Sequence, residues 1–333
     1  MTAVLDVVDE EAERAEWLAW RRQGVGASDV AGILGVSPWS SPFKVWANKV
    51  GLLPDFDGTK KMRAGKYAEL MIRPYFEDET GLFVVAEQAR IEWPTNPVHR
   101  ATIDGLAFDR HVYGVGRDLR GDNGNNPDGV DPVALVEMKN EASKRWARIP
   151  THYATQGQWQ MHCAGLERLF FAVLHWGWDL QVYPLDRNQT DIDFMVRRVD
   201  EFWSEHVVTG TPPPIDDSEA TADALDAVYP GAVEETVDMT DMADRITEWR
   251  AAKAKAGEIA DRVRGCENEI KARLGNATTG TVGDALAVSW RPQSRTTVAN
   301  SKALIERGPS PRVFTSTTTF RVLRHHKPKA AKR

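Results

Sequence analysis

Cysteine is nearly absent from the chain: Cys163 and Cys266 are the only two among 333 residues. Two thiols exclude a disulfide framework, a four-cysteine zinc site and a four-cysteine iron–sulfur cluster built from this chain alone, and they fit a reducing compartment. Long apolar runs are missing too. No stretch approaches the roughly 20 residues of a membrane span, and the acidic start DVVDEEAERAEW lacks the basic-then-apolar plan of a signal peptide. The sequence therefore predicts a soluble cytoplasmic protein with no membrane partner. Lys and Arg are absent from residues 215–244, which hold ten Asp and Glu, so the net charge of −6 hides a remainder that is net positive. What the chain has is 42% hydrophobic residues, enough for a sizeable core, and twelve tryptophans, read mostly as core or groove lining.

In chain order, residues 10–23 read as a helix running into RRQGVGASDV. Gly24 and Gly26 permit close backbone approach, and Ser28 with Asp29 can cap a helix beginning at Val30. On these residues alone that corner reads first as a plain capped helix-turn-helix corner and second as an anion site. A helix over RAGKYAELMIRPYFEDETG places Ala68, Met71, Ile72, Tyr75 and Phe76 on its apolar stripe and stops at Gly81. Glu69 lies off the stripe, one helical turn from Arg73 and suited to an ordinary surface ion pair. FVVAEQARIEW and VHRATIDGLAFD read as consecutive antiparallel strands, followed by a long Gly-, Asn- and Asp-rich hairpin loop and the strand ALVEMKN. A helix over THYATQGQWQMHCAGL carries Tyr153, Gln156 and Gln160 on one side; two strands and a helix to residue 210 complete an α/β core, with a central mixed sheet flanked by helices.

The expected division is a core over residues 1–214, an acidic linker over 215–240, a helix-rich extension over 241–325 with short strands, and a basic tail over 326–333. Met242, Ile246, Trp249, Ala256, Ala260 and Val263 follow an alternating four-and-three spacing, which predicts a long amphipathic helix or a helical hairpin with a packing seam.

The chemistry is concentrated in ALVEMKN. Strand alternation turns Ala134, Val136 and Met138 to a core and sets Glu137 beside Lys139 on the opposite face. Upstream, Asp104 precedes Gly105 in the other strand. An acid from one strand and Glu-x-Lys from the next form the PD-(D/E)xK signature of metal-dependent nucleases. Hard oxygens hold Mg²⁺, which polarises phosphate and acidifies a water, while the lysine steadies the nucleophile or the developing charge. Glu-x-Lys is also commonplace on the wet face of a strand, and Asp-Gly also marks turns. Lys144, Arg145 and Arg148 surround Trp146 in a basic and aromatic cluster suited to a DNA backbone.

Five segments in order, WLAWRRQGVGASDVAGILGVSPWSSP, AGKYAE, ATIDGL, LVEMK and HYATQGQWQM, resemble the YqaJ-type viral recombinase family, the group that includes phage lambda exonuclease. The resemblance covers roughly residues 10–210. It implies a restriction-endonuclease-like fold and a 5′ to 3′ exonuclease on linear double-stranded DNA, dependent on Mg²⁺ with Mn²⁺ as a substitute, releasing 5′-phosphomononucleotides. By motif, Asp104, Glu137, the backbone carbonyl of Met138 and Glu69 become metal ligands or metal-orienting groups, and Lys139 positions the water. Tyr153 and Gln156 become supporting residues of the active site, and Arg21 and Ser28 the holders of a 5′ phosphate. Implied partners are 5′-phosphorylated duplex DNA, a single-strand annealing protein of the phage, and further copies of the chain, as in ring-shaped trimers. Ile103 stands where the family has proline, and the loop before Glu-x-Lys is longer than in compact members. An endonuclease with the same core, or a non-catalytic DNA-end-binding protein, remains the alternative.

Overall fold

The computed structural model describes residues 10–54, 59–85, 89–109, 131–142, 145–298 and 315–326. The chain divides into two compact units, Met1–Val233 and Glu234–Arg333.

The first unit opens with four helices: α1 (Glu10–Arg22), α2 (Ala27–Ile33), α3 (Pro42–Lys49) and α4 (Lys60–Thr80). Local chemistry sets their ends. The Ser41 hydroxyl accepts from the Lys44 amide at 3.2 Å with Pro42 in the first turn of α3, Thr59 caps α4, and Gly81 ends it with a φ of 71°. α2 begins one turn earlier than its sequence suggests. Gly26 is the residue before the helix, and Asp29, in the first turn, accepts the Gly26 amide at 3.0 Å.

Strands β1 (Leu82–Val85), β2 (Ala89–Trp93), β3 (Asn96–Ile103), β4 (Gly105–Asp109) and β5 (Ala134–Glu141) follow, then α5 (Thr151–Ala164), β6 (Arg168–His175), β7 (Asp179–Asp186), α6 (Gln189–Phe202) and α7 (Glu219–Val228). The central sheet has the order β1-β4-β5-β6-β7. Only β5 and β6 run parallel, so the sheet is mixed, as expected. On one face α4 packs Ala68, Ile72 and Phe76 against Val84, Ala107, Val136 and Met138; on the other, Met161 of α5 joins Leu135, Leu169, Phe171 and Val173.

VHRATIDGLAFD does not form one strand. It breaks at Asp104, so β3 pairs with β2 in a separate hairpin while β4 enters the central sheet. Among the described residues the pairing of β4 with β5 ends at Val136, the partner of Gly105. The long loop expected before β5 falls on residues 110–130, outside the described residues.

Residues 215–240, expected as a linker, contain α7. Its Ala220, Thr221 and Ala224 are buried, and the Thr221 hydroxyl donates to Ser41 Oγ at 2.7 Å. The acids of this helix are compatible with folding because the alanine and threonine face turns inward.

In the second unit, α8 (Ala243–Leu274) is one continuous helix of 32 residues, not a hairpin, and none of its residues is buried. β8 (Thr279–Val282), β9 (Ala285–Val298) and β10 (Thr315–His325) form a three-stranded antiparallel sheet. Nearly all of the expected basic tail, residues 327–333, lies outside the described residues. Among the described residues no helix is long and apolar enough to cross a membrane.

Candidate active site

Asp104 sits at the strand break, where its Oδ2 accepts the Met138 amide at 2.8 Å. A strand residue points its N–H and C=O to the same edge, so the Met138 carbonyl faces the Asp104 side. Glu137, 4% exposed, turns to the α5 face. Its Oε1 accepts from Lys139 Nζ and from Gln156 Nε2, both at 2.5 Å, and its Oε2 accepts from Gln160 Nε2 at 2.6 Å. Tyr153 completes this side, with Lys139 Nζ 5.1 Å from its ring centroid. Tyr153, Gln156 and Gln160 reach one place because they recur at helical spacing on α5. Gln160 was legible by that spacing, yet nothing in the sequence told it apart from an ordinary surface glutamine.

The electrostatics are those of a crowded acid pair. Burial and then the Glu137 carboxylate push the Asp104 pKa up to about 8, against the pull of Lys139 and the Met138 amide; Glu69 adds the weakest of these contributions. Burial opposes the charge on Lys139, but Glu137 and Asp104 outweigh it and push its pKa up to about 12. The two acids thus favour the ammonium form of Lys139. Among the described residues no group of three His, Cys, Asp or Glu side chains is placed to hold a metal ion by itself. Two carboxylates with a neighbouring carbonyl nevertheless suit Mg²⁺, which commonly takes one or two carboxylates and keeps several waters.

The glycine corner also assembles. Arg21 Nη2 lies 3.2 Å from Ser28 Oγ and 3.4 Å from Asp29 Oδ1, with the guanidinium 4.9 Å from the Trp17 ring centroid. Lys49, its side chain 1% exposed, donates to Asp29 Oδ2 at 2.6 Å and to the Arg21 carbonyl at 2.8 Å. Burial raises the Asp29 pKa, but Lys49 and Arg21 together bring it below the ordinary value, so two cations share one carboxylate. A Cβ on Gly24 would stand 2.5 Å from the Val98 carbonyl, which is the close approach expected there; at Gly26 the nearest contact would be an ordinary 3.4 Å. Neither Asp29 nor Lys49 was singled out as part of this site, since burial of a lysine on a short helix leaves no pattern in the sequence.

One helix ties corner and acids together. Trp159 Nε1 donates to the carbonyls of Val25 at 3.3 Å and Arg100 at 3.0 Å, while the next residue, Gln160, holds Glu137.

In the basic cluster after β5, Arg145 is exposed and makes a two-pronged ion pair with Asp179 at 2.6 and 2.7 Å, while Trp146 stacks on Tyr153 at 5.1 Å. Arg148 is exposed, and Lys144 lies outside the described residues.

The chain is 27% identical over 294 residues, 85% of each protein, to the uncharacterized protein YqaJ of Bacillus subtilis (strain 168). Similar solved structures include an alkaline exonuclease, LHK-Exo, from Laribacter hongkongensis at 21% identity, covering 59% of this chain and 94% of that one with a TM-score of 0.44. A putative exonuclease from Eubacterium rectale matches at 11% identity, over 69% of this chain and 97% of that one, with a TM-score of 0.42. The model of the YqaJ-like viral recombinase domain matches residues 16–167, the stretch that holds Arg21, Asp104, Glu137 and Lys139.

Proposed function

We propose that the protein is a metal-dependent 5′ to 3′ exonuclease that degrades one strand of linear double-stranded DNA, releasing 5′-phosphomononucleotides and leaving 3′ single strands for a phage annealing protein. The observation that carries this reading is that Asp104 and Glu137, from two neighbouring strands, lie close enough for the Glu137 carboxylate to raise the Asp104 pKa, with Lys139 bonded to Glu137. Asp104, Glu137 and the Met138 carbonyl would hold Mg²⁺ or Mn²⁺, with Glu69 acting through water. Such a cation polarises the scissile phosphate and lowers the pKa of a bound water.

The remaining work falls to the chain itself. Gln156 and Gln160 fix the Glu137 carboxylate, and Tyr153 steadies the Lys139 ammonium beside it. Lys139 supplies a positive charge where charge develops on the phosphate, a role that needs no proton transfer. Arg21 and Ser28 receive the 5′ phosphate, the guanidinium through paired N–H bonds, with Lys49 adding positive potential from behind. Several copies of the chain are expected to encircle the duplex, and light scattering of purified protein measures their number.

Asp104→Ala, Glu137→Ala and Lys139→Ala should each abolish nucleotide release from linear duplex in Mg²⁺ while leaving DNA binding in EDTA largely intact. Cutting of closed circular plasmid with linear ends untouched would replace the exonuclease reading by an endonuclease. Metal-independent binding without any hydrolysis would leave an end-binding protein. Arg21→Ala should slow digestion of a 5′-phosphorylated duplex about tenfold or more, and that of a 5′-hydroxyl duplex far less. Arg22→Ala run in parallel checks that the correct arginine has been assigned.

A further inference from the structure

Trp39, in the loop between α2 and α3, is 58% exposed, yet it is firmly anchored. Its amide donates to Ser37 Oγ at 3.2 Å and its carbonyl accepts from Lys44 Nζ at 3.0 Å. The indole meets the His152 ring edge-on, with centroids 4.8 Å apart and planes at 82°, and lies 6.2 Å from Tyr153. Tyr153 in turn faces Lys139 and is backed by Trp146. A continuous row of rings thus runs from the lysine of the acid pair to an open indole at the surface. Burial and the Lys139 cation hold His152 below the ordinary histidine pKa, so its contact with Trp39 is one of neutral rings.

We propose that Trp39, steadied by His152, is a stacking platform for an unpaired nucleobase of the strand entering the site. The choice of ligand rests on the nuclease reading: a strand whose phosphate lies at Asp104, Glu137 and Lys139 carries a base within reach of the adjoining ring row, and that base must be covered by something flat and apolar. Every nucleobase has a π face, so the platform accepts any of the four, as a nuclease indifferent to sequence requires. It also gives the two proposed phosphate contacts, at Arg21 and at Lys139, a base contact to accompany them.

The test uses the full-length protein in EDTA and two 5′-phosphorylated duplexes that end in a short unpaired segment, one of thymidines and one of abasic sites. The wild type should bind the thymidine end about tenfold more tightly than the abasic end. Trp39→Ala should erase that ratio while leaving the abasic affinity within about twofold, and Trp39→Phe should keep most of it. The abasic affinity also reports that the variant is folded. A ratio near one in the wild type, an unchanged ratio in Trp39→Ala, or equal weakening on both probes overturns the inference. Hydrolysis in Mg²⁺ is scored separately. A wild type that cuts nothing but keeps the base-dependent ratio loses the nuclease reading and retains the platform; equal cutting by wild type and Trp39→Ala with an unchanged ratio removes the platform alone.

Discussion

Glu137 is gripped by three donors, and removing one of them separates positioning from ligation. Gln160 Nε2 bridges Glu137 Oε2 and the Thr102 carbonyl at 3.0 Å, so Gln160→Ala loosens the acid and the strand leading to Asp104 together. A hydrogen bond to a charged group contributes about 1.5–3 kcal/mol, which predicts a lower thermal midpoint and a kcat reduced roughly tenfold or more, with KM little changed. Elsewhere, His162 is 6% exposed, stacks on Trp93 at 4.6 Å, and sits 3.1 Å from His99 Nδ1, whose Nε2 contacts Asp200 at 2.9 Å. Burial, then the neighbouring His99 and Arg187, lower its pKa to about 4. The unfolded chain, with an ordinary histidine pKa near 6.5, therefore binds more protons between those values. The contribution is complete above about pH 6.5 and is lost as pH falls toward 4, with a slope of at most about 1.4 kcal/mol per pH unit. Urea midpoints at pH 5 and pH 7 should differ less in His162→Phe than in the wild type.

α5 lies close to the sheet because Gly157 has no side chain: a Cβ there would stand 2.8 Å from Leu185 Cδ2 and 3.2 Å from Phe171 Cζ. Leu185 can swing aside, but Phe171 is fully buried and must yield. In Gly157→Ala the gain in helix propensity, about 1 kcal/mol, opposes this crowding, so stability should change little. Gln156 and Gln160 ride on the same helix, and their displacement should lower kcat several-fold, which steady-state kinetics will show. The alternation in ALVEMKN placed Glu137 and Lys139 correctly, and helical spacing placed Tyr153 and Gln156 on one face. The break at Asp104 was not legible, because a residue-by-residue pattern says nothing about which of two sheets a strand will join. The charge of residues 215–240 masked α7 for a related reason: composition averages over a helix whose few buried alanines decide its fate. The corner was legible as to Arg21 and Ser28 but not as to Lys49, whose burial depends on contacts made by distant segments.

Among the described residues, the three buried apolar clusters draw on the chain up to Val228, within the compact unit Met1–Val233. A chain ending at Val233 should unfold cooperatively, with a thermal midpoint close to the corresponding transition of the full protein, as calorimetry will test. In α8, Trp249, Ile259 and Val263 are more than half exposed. The scarcity of cysteine acquires a practical meaning at this scale. Cys163 is 3% exposed within α5, and burial raises its pKa, whereas Cys266 is exposed on α8, so each unit carries one thiol of opposite accessibility. A maleimide dye added to the native protein will tag the second unit alone, with no engineered cysteine. Slow appearance of the second adduct becomes a clock for the opening of α5, the helix that holds Glu137 in place.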